Sequence, residues 1–583
     1  MQKADWSPRK PAPAPSDFTD RFGQLRGQVL WHRDLTDPGE VERYLEPRLD
    51  SLTSPFSLKN MGEAAARVAG AILRDEPIVV YSDYDIDGMS GLAILMSFFE
   101  SVGFLKAKSY QPDRLEEGYG VHPEAIRALA QAGAKVIITV DTGIGAFEAA
   151  IEAKAAGCDL VVTDHHQQSP LGLPDTPYIV NPNQKGCTSG LTYLSGAAVG
   201  FYLAIAVRSV LRQQGYFAGH RKEPDLRDLL DLCVLGTVAD SVDLRGDNRV
   251  LVRVGLKRLA YSRRPGLRLL LARTLIKEGE PSARDVAFSV TPKLNAASRM
   301  GKAHLSTELL LTNDPERAAV LVEELMKLNE ERARVQGDVF DAALSQAQAQ
   351  MRDRDPPVLV VHGEDWHEGV LGVVAAKLVD RLGRPSIVLT RARNSVLRGP
   401  VLRGSMRTLP RVHCLKLLDS CKEVLGRYGG HRMAAGLQLG ADRVLDFTDH
   451  LWEAARLAGG QLFELDPVPF DGDLPGKLSL REVLDLESLA PWGAGNPEPL
   501  FRLTNFDLSK KIVMKNTHLK CRLADGTEVI GFHKNAEAES ILASDHPLAE
   551  ALVVPEINRF RGGQTIQLRL EHLRPGPVDS PRP

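Results

Sequence analysis

Three short β-branched runs that each close on aspartate constrain this chain more than any other feature. Ile78-Val-Val-Tyr81 leads into Asp83-Tyr-Asp85-Ile-Asp87-Gly88, Lys135-Val-Ile-Ile-Thr-Val140 into Asp141-Thr-Gly143, and Asp159-Leu-Val-Val-Thr163 into Asp164-His165-His166. Helical stretches at Gly91 to Glu100, His122 to Ala132 and Gly145 to Ala156 separate them, so the segment reads as alternating strand and helix. Such alternation predicts an α/β fold with a parallel sheet. Ligands of open α/β sheets bind outside the carboxyl ends of the strands, so all three polar clusters would emerge on that edge. A fourth acid, Asp240, follows the apolar helical stretch Leu229 to Leu235.

Carboxylates crowded on one turn repel one another unless a hard cation neutralises them, and hard cations prefer oxygen ligands. Asp83-x-Asp-x-Asp-Gly is also how an EF-hand loop begins. The twelfth position, however, is Ile94 in place of the bidentate Glu, and a strand precedes the loop. A mixed Asp/His set without cysteine suits Mn²⁺ or Mg²⁺ better than structural zinc, and the acids suffice for two ions sharing a carboxylate. Paired ions about 3.5–4 Å apart are a recurring solution for phosphodiester cleavage.

Asp164-His165-His166, with Asp-Tyr-Asp-Ile-Asp-Gly upstream and Thr-Val-Asp-Thr-Gly between, resembles the DHH phosphoesterase superfamily. Four further stretches are similar to its branch of bacterial exonucleases that degrade single-stranded DNA 5′→3′. These are Ser109-Tyr-Gln-Pro-Asp-Arg114 with Glu117-Gly-Tyr119-Gly120, Pro292-Lys-Leu-Asn295-Ala-Ala-Ser-Arg299, Gly404-Ser405-Met-Arg407 and Tyr428-Gly-Gly430-His431-Arg-Met-Ala-Ala-Gly436. Trp492-Gly-Ala-Gly-Asn-Pro-Glu-Pro499 extends the likeness to a C-terminal region that shorter DHH phosphodiesterases lack. The chain departs from the pattern at Ser298, where the family has Gly, and at Gln111 and Asp113, commonly Ile and Asn. An acid at 113 either weakens the field of Arg114 or orients its guanidinium by a bidentate pair.

The resemblance implies that Asp85, Asp87, Asp141, His165 and Asp240 hold the ions, with Asp83 a further ligand. Asp164 would orient a ligating histidine, while His166 contacts the scissile phosphate or carries a proton. It implies that Arg299 contacts that phosphate and that Arg114, Ser405 and Arg407 hold the 5′-terminal phosphate, with Gly430 and His431 completing the cleft wall. Tyr119 and Asn295 join the expected DNA-contacting set. The complete acid set argues against an inactivated relative of the replicative-helicase accessory type.

The layout read from composition is a flexible N-terminal tail and lead-in over 1–50, a metal-binding domain over 51–312, a connecting helix over 313–352, a second smaller α/β domain over 353–463, and an OB-like barrel over 464–583. Asn313-Asp-Pro-Glu316 starts a helix that runs without Pro to Met351, unless Gly337 breaks it in two. Its charged positions, among them Glu330, Glu331, Arg332 and Arg334, read as a solvated face. Strand Val358 to Val361, helix Val370 to Arg381 and strand Ser386 to Thr390 open the second domain, with Arg403 to Arg407 and Gly429-Gly-His431 on later loops. Beyond 464, Asp525-Gly526 and Arg561-Gly-Gly563 punctuate short strands as hairpin turns. Lys510, Lys511, Lys515, Lys520, Arg559 and Arg561, with Phe532 and Phe560, would line a groove for single-stranded DNA; a barrel core with a solvated lysine surface is the competing reading.

With 72 basic against 75 acidic residues, a net charge of -3, any nucleic-acid path must be local. Six cysteines without a C-x-x-C pair fit a reducing cytoplasm. Neither a signal peptide nor a membrane-length apolar run is evident. The expected activity is a Mn²⁺- or Mg²⁺-dependent 5′→3′ exonuclease on single-stranded DNA, acting in recombination and repair as a monomer, with a DNA helicase and single-strand-binding protein as partners. Two alternatives stay open: a phosphodiesterase for short oligoribonucleotides or cyclic dinucleotides, and a non-catalytic single-strand-binding scaffold.

Overall fold

The structure is a computed structural model and describes residues 5–10, 12–275, 279–392, 400–459, 466–543, 548–559 and 563–576. The chain divides into two compact units, one spanning Leu49–Leu465 and the other combining Ala4–Arg48 with Asp466–Pro583.

The first unit is built on a five-stranded sheet in the order Ala107–Tyr110, Ile78–Ser82, Val136–Val140, Asp159–Thr163, Ile179–Val180. All neighbours are parallel. Alternating side chains feed two cores: Ile78, Val80, Val136 and Ile138 point to one face, Val79, Tyr81, Ile137 and Val162 to the other. Register decides where the acids arrive. Ser82 pairs with Val140 and Val140 with Thr163, so three strands end level and Asp83, Asp141 and Asp164 are the next residue on each.

Helix Pro315–Asp353 is continuous through Gly337, which removes the two-helix alternative. Asp314 caps it by accepting from the Glu316 N–H, and Pro315 occupies its first turn. Its 39 residues span about 58 Å. Leu321, Leu325 and Leu328 belong to the core under the first sheet, while Val339, Ala343 and Ala347 pack with Leu359, Val361 and Val374 of the next domain. A second sheet follows in the order Arg427–Gly430, Ala434–Gly440, Val401–Arg407, Ser386–Arg391, Leu359–Gly363. The expectation that Arg403 to Arg407 and Gly429-Gly430 lie on loops is corrected here, because both are strand residues. Glycine is selected in that sheet for space: a Cβ on Gly404 would stand 2.3 Å from Leu389 Cδ2.

The second unit overturns the flexible tail. Helices Ser16–Phe22, Gln24–His32 and Pro38–Leu45 bury Phe18, Phe22, Leu25, Val29, Leu30 and Val41 in one core with Leu486, Phe501, Val529 and Leu570. Strand Trp6–Pro8 pairs in parallel with Val468–Phe470. The apolar partners of the N-terminal segment lie more than 400 residues away in sequence, so nothing local announces its order. The rest is a seven-stranded mixed sheet, with Asp525-Gly526 turning between the antiparallel strands His518–Arg522 and Glu528–Gly531. Among the described residues, no helix is long and apolar enough to cross a membrane.

Candidate metal centre

Asp85 caps helix Ile86–Ser101, its Oδ1 accepting from the N–H groups of Asp87 and Gly88 at 2.9 and 3.2 Å. Asp87 is fully buried against the start of helix Gly196–Gln213, accepting from Gly196 N at 2.6 Å and Ala197 N at 3.0 Å. A carboxylate at a helix N-terminus is held by the partial positive charge there. Asp141 leaves its strand with φ of 60°. His165 Nε2 lies 3.1 Å from Asp141 Oδ1, 3.6 Å from Asp240 Oδ2 and 3.9 Å from Asp87 Oδ2.

Three overlapping trios bring ligand-type atoms within 4.8 Å of one another: Asp83, Asp85 and Asp141; Asp87, His165 and Asp240; and Asp141, His165 and His166. Asp141 therefore stands between the Asp83/Asp85 side and the histidine side, where a shared carboxylate would have to be. The donor set fits hard divalent ions. Asp83 Oδ1, Asp141 Oδ1 and His165 Nε2 are buried and have no hydrogen-bond partner, which is costly unless a cation takes their lone pairs. Burial first and neighbouring carboxylates second push Asp83, Asp87, Asp141 and Asp240 up, Asp83 to about 8. Burial, then His166, lowers His165 to about 4, which leaves its nitrogen free to ligate.

Asp164 orients a histidine, but the ring it holds is that of His166. Its Oδ1 accepts from His166 Nδ1 at 2.7 Å and from the backbone N–H of His165 and His166, and its Oδ2 accepts from Ile144 N. Burial alone would raise Asp164, yet the His166 charge and hydrogen bond hold it at about 2; burial likewise opposes the rise of His166, which Asp164 lifts to about 9. His431, from the second domain, stacks on His166 with centroids 5.2 Å apart and planes 16° apart. Tyr119 meets the His166 ring edge-on at 6.0 Å and keeps half its surface exposed.

Arg299 ends helix Thr291–Arg299 with Nη1 donating to Gly369 O at 3.4 Å. Burial, then Arg114, Arg332 and Arg407, depress it to about 9. Arg114 lies over the Tyr84 ring at 4.9 Å. Asp113 forms no ion pair with Arg114: its Oδ1 accepts from Leu115 N and Glu116 N and caps its own turn. Arg407 donates to Ser405 Oγ at 2.7 Å and to Met406 O at 2.8 Å. A cleft of about 580 Å³ runs from Asp240 and Ser241 to Arg407 and Met433.

Several expected contacts are placed differently. Asn295 Oδ1 accepts from Ile86 N at 3.1 Å, so it ties its helix to the acidic turn. Lys520 Nζ is 2.7 Å from Glu528, Lys511 is 2.6 Å from Glu539, and Arg559 makes a two-pronged pair with Glu487. Their charge is already compensated, whereas among the described residues Lys510 and Lys515 form no close ion pair, Lys510 acting on Asp507 from further off. Phe532 is half exposed and meets His518 edge-on at 5.5 Å. Gly430 closes its strand with φ of 144°. Phe560 and Arg561 lie outside the described residues. Two glycines were not anticipated. A Cβ on Gly196 would stand 2.5 Å from Asp141 Cβ, and one on Gly236 would stand 2.5 Å from Asp87 Oδ1. Nothing in either local sequence marks them, since the neighbours that need the space come from other elements.

A parallel sheet that brings acids and paired histidines to one edge, with His431 and Arg407 of a second α/β domain beside them, defines a phosphoesterase of the DHH class. Residues 77–237 match the DHH family, N-terminal domain, residues 355–456 the DHHA1 domain, and residues 471–572 the RecJ OB domain. The chain is 34% identical to the single-stranded-DNA-specific exonuclease RecJ of Dickeya dadantii over 97% of this chain and 98% of that protein. It is 32% identical to the Escherichia coli RecJ, covering 96% and 97% respectively. A crystal structure of RecJ from Thermus thermophilus in complex with Mn²⁺ superposes with a TM-score of 0.81 at 28% identity, covering 98% of this chain and 80% of that one. The chain belongs to the RecJ family of single-stranded-DNA-specific exonucleases.

Proposed function

We propose that this chain removes 5′-mononucleotides from the 5′ end of single-stranded DNA with Mn²⁺ or Mg²⁺ bound by Asp83, Asp85, Asp87, Asp141, His165 and Asp240. The observation that carries the reading is the set of buried, unsatisfied ligand atoms on Asp83, Asp141 and His165, with Asp240 of the same acid group lining a cleft that Arg407 also lines. Bound divalent ions supply an acidified water and neutralise charge on the phosphate. Arg299 offsets the charge of the scissile phosphate from the opposite side. His166, held by Asp164 through Nδ1, keeps Nε2 to donate to a phosphate oxygen. Arg114, Ser405 and Arg407 hold the terminal phosphate, which sets polarity by placing the first phosphodiester at the acids.

In this scheme residues 51–312 perform the chemistry, 313–352 connect, 353–463 form the cleft's other wall, and 464–583 grip the strand. Its six described cysteines are all free thiols, which supports a reducing cytoplasm. Work as a monomer beside a helicase and single-strand-binding protein follows from the family resemblance. The test is a panel of end-labelled long single-stranded DNA, duplex DNA, oligoribonucleotide and cyclic dinucleotide, with Mn²⁺ and with chelator. The expected result is metal-dependent release of mononucleotides from the 5′ end of single-stranded DNA alone. Digestion from the 3′ end, chelator-resistant cleavage, or preference for the cyclic dinucleotide would overturn it.

A further inference from the structure

Helix Thr291–Arg299 packs along the long helix Pro315–Asp353, and these two helices carry the cations Lys293, Arg299 and Arg332. Arg332, expected on a solvated face, is half-buried. It donates from Nη1 to Gln336 Oε1 at 2.7 Å and from Nη2 to Asn329 Oδ1 at 2.6 Å, both neutral partners. Its Nε is buried without any partner. Among the described residues, Arg114, Lys293, Arg299 and Arg332 form no ion pair with a carboxylate, whereas Arg67, Arg127, Arg212, Arg264, Arg317 and Arg403 of this unit do. Burial, then Arg114 and Arg332, depress the Arg299 guanidinium while Asp85 acts the other way, and burial, then Arg332, depress the Lys293 amine, so Arg332 lies in the field of both.

A cluster of half-buried like charges opposes folding through self-repulsion and desolvation unless a polyanion occupies it. Its location specifies which part of the polyanion. Arg299 lies at the C-terminal end of its helix, next to the acidic turn that Asn295 ties down through Ile86 N. Lys293 lies back toward the N-terminus, about 9 Å along the axis. Arg407 and Arg114, which hold the terminal phosphate in the reading above, are neighbours of Arg299 but are not among the charges that act on Lys293.

We propose that Arg332, with Lys293, forms a second phosphate subsite that holds the backbone on the 3′ side of the scissile bond. The long helix is then part of the DNA track as well as the connector between the two sheets. Asn329 and Gln336 fix the planar guanidinium without cancelling its charge, which leaves it able to take a phosphate. This inference rests on the exonuclease reading and names how the same site measures the strand.

Steady-state cleavage by R332Q and K293Q, compared on a 5′-phosphorylated dinucleotide and a 5′-phosphorylated 20-mer, tests it. The dinucleotide has no phosphate beyond the scissile one. Each variant is expected to lose about tenfold more kcat/KM on the 20-mer than on the dinucleotide, mainly through KM, and R332K should recover most of that loss. Binding of the 20-mer should show a salt slope shallower by about 0.7 for each lost contact. Equal losses on both substrates, or a 20-mer KM and salt slope unchanged from the parent, would overturn the subsite. If R332Q melts early, K293Q and R332K still decide the matter. Failure of the parent enzyme to cleave either substrate would instead count against the exonuclease reading.

Discussion

Asp141 sits where buried carboxylates compete for too little counter-charge. Its side chain meets those of Asp83 and Asp85 on one side and His165 on the other, with Gly196 leaving room for it. Burial and then the surrounding acids hold its pKa well above the carboxylate range. An acid whose folded pKa exceeds its unfolded value near 3.9 contributes fully to stability below that value and stops contributing as the pH rises through the folded one. The metal-free protein is therefore expected to lose melting temperature from about pH 4 to pH 8, where Asp83 titrates in the folded state. Mn²⁺ should flatten that slope, and D141N should flatten it in part without metal while lowering cleavage about a thousandfold. Thermal melts in chelator and in Mn²⁺ across this range provide the check; a melting temperature of the metal-free protein that does not fall would show that the acids are not mutually repelled. That the aspartates and histidines would converge on one sheet edge was legible, because each follows directly on a β-branched run. The pairing of Asp164 with His166, rather than with the ring of His165, was not, because adjacent residues compete for one carboxylate and only side-chain direction separates them.

Strand Val401–Arg407 carries the arginine that lines the cleft. Ser405 and Arg407 are two apart on Val401–Arg407 and so share a face, which lets Arg407 bond Ser405 Oγ. The start of helix Leu371–Leu382 comes so close that a Cβ on Gly372 would be 2.7 Å from Arg407 Nη2. Losing one charged contact costs about 1.5–3 kcal/mol. R407A should accordingly lower kcat/KM on 5′-phosphorylated single strands by roughly 10- to 100-fold and narrow the preference over 5′-hydroxyl ends. Initiation rates on matched substrates measure both, and an unchanged preference would remove Arg407 from the terminal-phosphate site. Glycine-rich runs read as loops because glycine is common in turns. Here the glycines admit Leu389 and the Val388 carbonyl from the neighbouring strand, information held only by sheet pairing. The start of the long helix was legible because its cap and first-turn proline are local signals, while its continuity through Gly337 was settled only by the structure.

At the scale of the molecule, the second unit is assembled from both ends of the chain, so removing only residues after 464 would strip the N-terminal helices of their core. Point variants probe its grip on DNA more cleanly. With Lys511, Lys520 and Arg559 already paired to acids, the half-exposed Phe532 and the cations Lys510 and Lys515 are, among the described residues of the expected groove, the groups left to engage a strand. F532A should weaken binding of a long single strand by about 1–3 kcal/mol with little change in salt dependence, whereas K510Q with K515Q should flatten the salt slope. Titrations across a salt series separate the two, and unaltered affinity in both would assign this face to structure or to protein partners. Sequence by itself determined the parallel sheet, the acids at its strand ends, the metal chemistry and the start of the connecting helix. Each follows from periodicity, β-branching or charge within a few residues. Tertiary structure alone decided the order of the N-terminal helices, which cations are neutralised and which, like Arg332, are left for a ligand. Those outcomes depend on partners far apart in the chain, and a linear pattern carries no record of which distant side chain arrives beside it.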